Sequence, residues 1–368
     1  MIIKTLTTYN VYNYGASLQA YALMTYIKQK GHEVEIINYQ PEYLRRKYDY
    51  KWVNPESKMS KFLITRCAYR ILKYLQRQTT LKRKKAFDEF TKTQLSQTSI
   101  SYLDHSELKK NPPEADLFIV GSDQVWNVFY ETGRDDAFFL DFVTKGNKAS
   151  YAASFSYLNI DNENKKRIEL LLHDFKAVSI REFQGLDFLK EIGINATWVL
   201  DPVFLLSKKE WKSFMPTYNK KEKYLLIYDF EGNKSLKSFA KKYAETYNLK
   251  IYSINDTYPR LYADKNFNNA GPKEFLTLIY NCDAFISNSF HGTAFSIIFN
   301  KPVFVFNRHR HKVNSRMESL MMLFELEECI EPDINKIKNY QDVFNFEKIN
   351  DIIKSEKKKS IEFIDKIL

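Results

Sequence analysis

MIIKTLTTYNVYNYGASLQAYALMTYIKQKGHEVEII, residues 1–37, is where the architecture is set. Ile2 to Leu6 is a short β-type run, and Gly15 to Lys30 carries Leu18, Tyr21, Ala22 and Ile27 at helical spacing. Gly31 stops the helix, and Val34, Ile36 and Ile37 resume strand character. Strand, helix and strand in so short a span make a βαβ unit, because parallel neighbours need a crossover helix. The pattern repeats outward from there. Asp116 to Val120, Lys148 to Ser154 and Ala177 to Ile180 read as strands, with a helix over Asn162 to Phe175.

A second series follows Asp201-Pro202, which reads as a structural hinge. Strands are expected at Lys223 to Phe230, Lys250 to Ile254, Ala284 to Ser287 and Val303 to Phe306. Helices are expected at Asn233 to Tyr247, Pro272 to Tyr280 and Phe290 to Asn300. The expected fold class is therefore α/β, with two Rossmann-like doubly wound domains facing across a cleft. Their bounds are 1–203 and 204–345, closed by an amphipathic, Lys-rich helix over 346–368. Pro41 to Pro113 breaks the alternation and reads as a basic, mostly helical insertion in the first domain, not a sheet unit. Within it Leu63, Ile64, Cys67, Ala68, Ile71, Leu72 and Leu75 share one helical face, and Arg66, Arg70, Lys73 and Arg77 another. Either this is a solvated helix covering the sheet, or it is a face for a membrane or an anionic substrate.

Composition narrows the class. The chain has 368 residues, 44% of them hydrophobic and 27% charged, which excludes disorder as its main state. Lys plus Arg exceed Asp plus Glu by 11. Nucleic acid is the first suspect for such an excess, but no nucleic-acid motif accompanies it. Cys67, Cys282 and Cys329 are too few and too scattered for a disulfide framework or a metal cluster. There is no HExxH, CxxC or DxD motif, so no metal is expected. The N-terminus lacks signal-peptide features and no apolar run is long enough to span a bilayer, so a cytoplasmic location is expected.

In open α/β sheets, ligands bind where strand ends lead into helix N-termini. Five places qualify. In the first, Asn13, Tyr14, Gly15 and Ser17 follow strand one, either as a binding loop or as a turn with a helix cap. Next, Gly121-Ser122-Asp123-Gln124-Val125-Trp126-Asn127 combines carboxylate, amides and an indole, a set suited to gripping and stacking a sugar. Ser154-Phe155-Ser156 ends another strand and can simply turn the chain. Arg181 offers a guanidinium fork to a carboxylate or phosphate, or else forms a structural ion pair. The richest place is Ser287-Asn288-Ser289-Phe290-His291-Gly292. There Ser289 can cap the helix, Asn288 adds a donor, and His291 sits in the first turn, where anions are favoured. The basic loop from Asn307 to Arg316 would overlook the same cleft.

Taken in order, Asn13-Tyr14-Gly15, Gly121 to Asn127, Ser179-Ile180-Arg181-Glu182, Val199-Leu200-Asp201-Pro202 and Ser287 to Gly292 resemble the polysaccharide pyruvyl transferase family. The resemblance runs from residue 1 to about 325. It implies a GT-B-like pair of Rossmann domains and transfer of an enolpyruvyl unit from phosphoenolpyruvate to a sugar such as galactose. The product would be a cyclic ketal on a cell-surface polysaccharide precursor, with phosphate released. By motif, His291 matches the essential histidine, and Arg181 and Lys312 match the basic residues for phosphoenolpyruvate. Phe290 and Ser289 stand where many members carry an Arg and a Leu ahead of the histidine, which passes one anion contact to Arg316. Asp123 is the candidate base for the sugar hydroxyl, and His291 the group for proton transfer or the leaving phosphate. Asn13, Tyr14, Gly15, Ser17, Gln124, Trp126 and Asn127 fall to the acceptor, and Asn288 and Ser289 to the donor. No redox cofactor or metal is required. The expected partners are phosphoenolpyruvate, a sugar acceptor that can be polyprenyl-diphosphate-linked, and an anionic membrane at the inner face. A GT-B glycosyltransferase using a nucleotide sugar and a non-catalytic glycan-binding subunit are the alternatives.

Overall fold

Two parallel five-stranded sheets organise the chain in the computed structural model. It describes all residues except 47, 48, 50, 56, 76, 157, 158, 256–258 and 309–313, and the side chains of 58, 75, 77–80 and 341 are also left aside. The first sheet has β1 (Ile2–Leu6), β2 (Glu33–Tyr39), β3 (Gln97–Tyr102), β4 (Leu117–Val120) and β5 (Asn147–Ser150), in the order β3-β2-β1-β4-β5. Single bridges at Ala149–Ala177 and Ala153–Ile180 extend it towards the pair β6 (Val178–Ile180) and β7 (Ala196–Trp198). The second has β8 (Tyr224–Tyr228), β9 (Lys250–Ile254), β10 (Lys265–Phe267), β11 (Ala284–Ser287) and β12 (Val303–Val305), in the order β10-β9-β8-β11-β12. Each order reverses direction between its first and fourth strands, the switch point where doubly wound sheets hold ligands.

The central strands are buried on both faces, which is why they read as continuous apolar runs. β4 and β8 are buried along their whole length. The helix Tyr14–Gln29 covers the first sheet and also packs against Pro272–Asn281 and Phe290–Ile298 of the second half. One hydrophobic cluster therefore runs through both halves, and a second fills the other face of the first sheet. The closing helix, Phe346–Ile367, returns to the first half. Its Ser360 Oγ accepts the Leu200 amide at 2.9 Å, and its Asp365 accepts the Tyr26 hydroxyl at 3.1 Å.

The expected insertion needs correction at its far end. Gln97–Tyr102 is the edge strand of the first sheet, so the segment 41–113 is not wholly outside it. The sequence Gln-Thr-Ser-Ile-Ser-Tyr leaves one face exposed, which hides it from a search for apolar runs. The helical part comprises Glu42–Arg45, Leu63–Leu75 and Arg77–Gln94. Among the described residues, no helix is long and apolar enough to cross a membrane.

Candidate active site at the meeting of the two sheets

The carboxyl ends of β4, β6 and β7 face that of β11 across the seam between the halves. Asn13 caps the helix Tyr14–Gln29, with its Oδ1 accepting the amides of Gly15 at 2.9 Å and Ala16 at 3.2 Å. That cap sets Gly15 directly under His291. A Cβ on Gly15 would lie 1.9 Å from His291 Nδ1, so only glycine lets the imidazole sit there. His291 is in the first turn of Phe290–Ile298, and Ser289 Oγ caps that helix by accepting the Gly292 amide at 3.3 Å.

Asp201 stands at the centre. Its Oδ2 takes Arg181 Nη1 at 2.6 Å and Ser122 Oγ at 3.0 Å, and lies 3.3 Å from His291 Nε2. Asp201-Pro202 is thus more than the structural hinge expected from sequence. Its carboxylate joins residues from both halves, while Oδ1 caps the following turn through the Val203 amide. Burial alone would raise the Asp201 carboxyl, but His291 and Arg181 outweigh it and hold the group well below the usual carboxylate range.

The loop after β4 is braced from the first strand. Gln19 accepts the Ser122 amide at 3.1 Å and donates to Thr7, whose hydroxyl donates to Ser122 O at 3.0 Å. The Gly121–Ser122 peptide is cis, and Asp123 has a positive φ of 71°. The Asp123 carboxylate faces two guanidinium groups, Arg181 at 3.7 Å and Arg316 at 3.8 Å. Burial opposes its ionisation, yet Arg181, His291 and Arg316 keep its carboxyl below the ordinary value. Gln124, with its amide turned to satisfy its neighbours, accepts Arg316 at 2.8 and 3.0 Å. Phe290 lies under both cations, 4.3 Å from Arg181 and 5.7 Å from Arg316.

The cations are not fully answered. Arg181 is buried, and its Nε and Nη2 have no hydrogen-bond partner among the described residues. Burial and the like charge of Arg181 bring Arg316 down to about 10, although Asp123 and Glu182 pull the other way. Glu182 is held by other work. Its Oε1 accepts Ser154 Oγ at 3.1 Å and the amides of Phe155 and Ser156 at 2.7 and 2.8 Å.

Several residues expected at the acceptor are structural instead. Trp126 is fully buried, stacks on Phe139 at 5.6 Å and donates to Phe138 O at 2.9 Å, so no sugar can lie on it. Tyr14 stacks on Phe275 at 4.3 Å and donates to Ala270 O at 2.8 Å, tying the halves together. Ser17 is buried with its hydroxyl on Tyr9 O at 3.3 Å, and Asn127 is buried with its Oδ1 on the Phe129 amide at 3.1 Å. Asn288 uses both ends of its amide within the second half, on the Phe230 amide and on Asp229, each at 3.0 Å. Lys312 lies outside the described residues. Sequence reasoning passed over Thr7 and Gln19, gave Ser122 no role of its own within its block, and read Asp201 as a hinge. The strand-end position of Asp201 after β7 and its place in the Val199-Leu200-Asp201-Pro202 block were the signals that could have found it. Among the described residues no group of three or more His, Cys, Asp or Glu is placed to hold a metal ion.

Two parallel-sheet halves that share one site at their carboxyl ends define the GT-B class. A structure from Listeria monocytogenes, described as a UDP-N-acetylglucosamine 2-epimerase, shares the fold at a TM-score of 0.52 and 10% identity, over 96% of this chain and 90% of that one. The chain belongs to the polysaccharide pyruvyl transferase family, whose profile matches residues 13–310. UDP-GlcNAc 2-epimerase from Methanocaldococcus jannaschii matches at a TM-score of 0.48 and 12% identity, over 94% and 92% of the two chains. A spinosyn rhamnosyltransferase matches at 0.46 and 10%, over 98% and 96%. Among curated protein sequences none matches.

Proposed function

We propose that this protein transfers an enolpyruvyl unit from phosphoenolpyruvate to a sugar hydroxyl, forming a cyclic ketal and releasing phosphate. The observation that carries this is the pair of cations at one site, buried Arg181 and half-buried Arg316, with Arg181 Nε and Nη2 left without hydrogen-bond partners among the described residues, close to His291. A donor bearing both a carboxylate and a phosphate suits two guanidinium groups, which bind such anions bidentately. Addition of a proton to C3 of the donor makes C2 electrophilic. One sugar hydroxyl then bonds to C2, the C2–O bond to phosphate breaks, and a second hydroxyl closes the ketal. The two hydroxyl protons end on C3 and on phosphate or solvent.

His291 is the best placed group to carry a proton, with the Asp201 carboxylate 3.3 Å from its Nε2 to favour the charged ring. This changes the part read for Asp123. A carboxyl held low by two arginines is a weak base, so Asp123 serves better in orienting Arg181 and Arg316 than in deprotonating the sugar. The acceptor is a hexose of a polysaccharide precursor, and no metal or redox group enters the scheme.

Incubation with phosphoenolpyruvate and a galactoside, read by phosphate release and by the mass gain of the sugar, tests the reaction. His291→Ala should lower turnover by at least about a hundredfold while the thermal transition is kept. Full activity in that variant, or tight binding of UDP or GDP with no binding of phosphoenolpyruvate, would overturn the reading in favour of a nucleotide-sugar transferase.

A further inference from the structure

The charge of this protein is not spread over it. Residues 51–85 hold eleven Lys and Arg against the single Glu56, a net charge of +10 in a chain whose total is +11. The rest is close to neutral. The same segment holds eight of the nineteen large apolar side chains that stand exposed among the described residues. Phe62, Leu63, Ile64 and Ile71 are exposed by 67, 73, 82 and 60%.

The helix Leu63–Leu75 is mounted the unusual way round. An amphipathic helix on a globular protein ordinarily buries its apolar stripe and shows its charges. Here two of the cations reach back to the segment ahead of the helix, Lys73 half-buried and Arg70 still exposed. Arg70 Nε donates to Lys51 O at 2.9 Å, and Lys73 Nζ donates to Trp52 O at 3.0 Å. The apolar stripe of Leu63, Ile64, Cys67, Ala68, Ile71 and Leu72 faces out along its whole length. Lys61 and Arg66 in or next to this helix, and Lys82 and Lys85 on the next one, also stand exposed. Arg83, from the same basic run, is buried and donates to Tyr12 O at 3.0 Å, so the next helix joins this surface to the loop ahead of Gly15 and His291.

We infer that this face docks on an anionic lipid bilayer, with the apolar stripe entering the headgroup boundary and the surrounding cations meeting lipid phosphates. Apolar side chains ringed by Lys and Arg fit that interface in both terms. A second copy of the chain would bring two segments of +10 together, so self-association is opposed by charge. The inference does not depend on the pyruvyl-transfer reading, because its readout is binding alone.

Flotation with vesicles tests it. The protein should float with phosphatidylcholine vesicles holding about one-third phosphatidylglycerol, stay behind with pure phosphatidylcholine, and be released by high salt. Ile64→Gln with Ile71→Gln, and separately Lys61, Arg66, Lys82 and Lys85 each changed to Gln, should each cut partitioning by more than about tenfold. Both variants alter exposed side chains, and circular dichroism with thermal unfolding verifies that they fold. Absence of wild-type flotation, flotation of either variant at the wild-type level, or a dimer by light scattering that the Ile64 and Ile71 changes dissolve would each overturn the proposal.

Discussion

Gly15 packs so closely on His291 that no side chain fits at position 15 while the imidazole keeps its place. Gly15→Ala must push the imidazole away from Asp201, and a displacement near 1 Å at a reacting group can cost about a hundredfold in rate. Turnover should fall by at least that factor, with little loss of thermal stability, measured by phosphate release and calorimetry. Asp201 has a different signature. Its carboxyl is depressed in the folded protein, so the stability it contributes is present above the unfolded value near 4 and is lost as pH falls below it. Asp201→Asn removes the nearest counter-charge of buried Arg181, leaving Asp123 at 3.7 Å, and should cost about 3–5 kcal/mol at neutral pH. Urea titrations should also show a shallower loss of stability in the variant below about pH 4. Of these residues, His291 and Arg181 were legible because the local sequence puts them at strand ends. Asp201 was read as a hinge because its partners lie 20 and 90 residues away, a distance no local pattern reports. Trp126 misled for the opposite reason. Its polar neighbours in sequence are not its neighbours in space, and its ring packs under the loop they form.

At the scale of elements, alternation of apolar runs with helical periods recovered the central strands of both sheets, since those are buried on both faces. β3, β7 and β10 escaped. β3 and β10 are edges, β7 is a partly exposed three-residue strand, and all three are short on apolar residues. Which way the helix Leu63–Leu75 would turn its stripe was not readable either, because helical periodicity gives faces and not their directions. The closing helix was legible as amphipathic, but its seat on the first half was not. There Ser360 accepts the buried Leu200 amide just ahead of Asp201. Ser360→Ala should orphan that donor and lower stability by about 1–3 kcal/mol, read from the urea midpoint.

For the molecule as a whole, the two sheets act as one site only because several contacts cross the seam. Tyr14 reaches Ala270, Ser315 donates to Ser156 at 3.1 Å, and Ser319 donates to Gln184 at 2.7 Å. Each crossing lies within a few residues of Gly15, Asp123, Arg181, His291 or Arg316, so the charged cluster is locked where the halves touch. The closing helix adds a constraint of another kind. Tyr26 waits for a partner 339 positions further along the chain. During synthesis the first sheet can form early, yet the strand end that carries Asp201 gains its Ser360 contact only after the second sheet has been made. A truncated product that stops short of that helix would hold both sheets and most of the site, but with the first half's apolar flank uncovered. Such a chain is material for a chaperone or a protease, so the order of translation itself guards against half-finished copies.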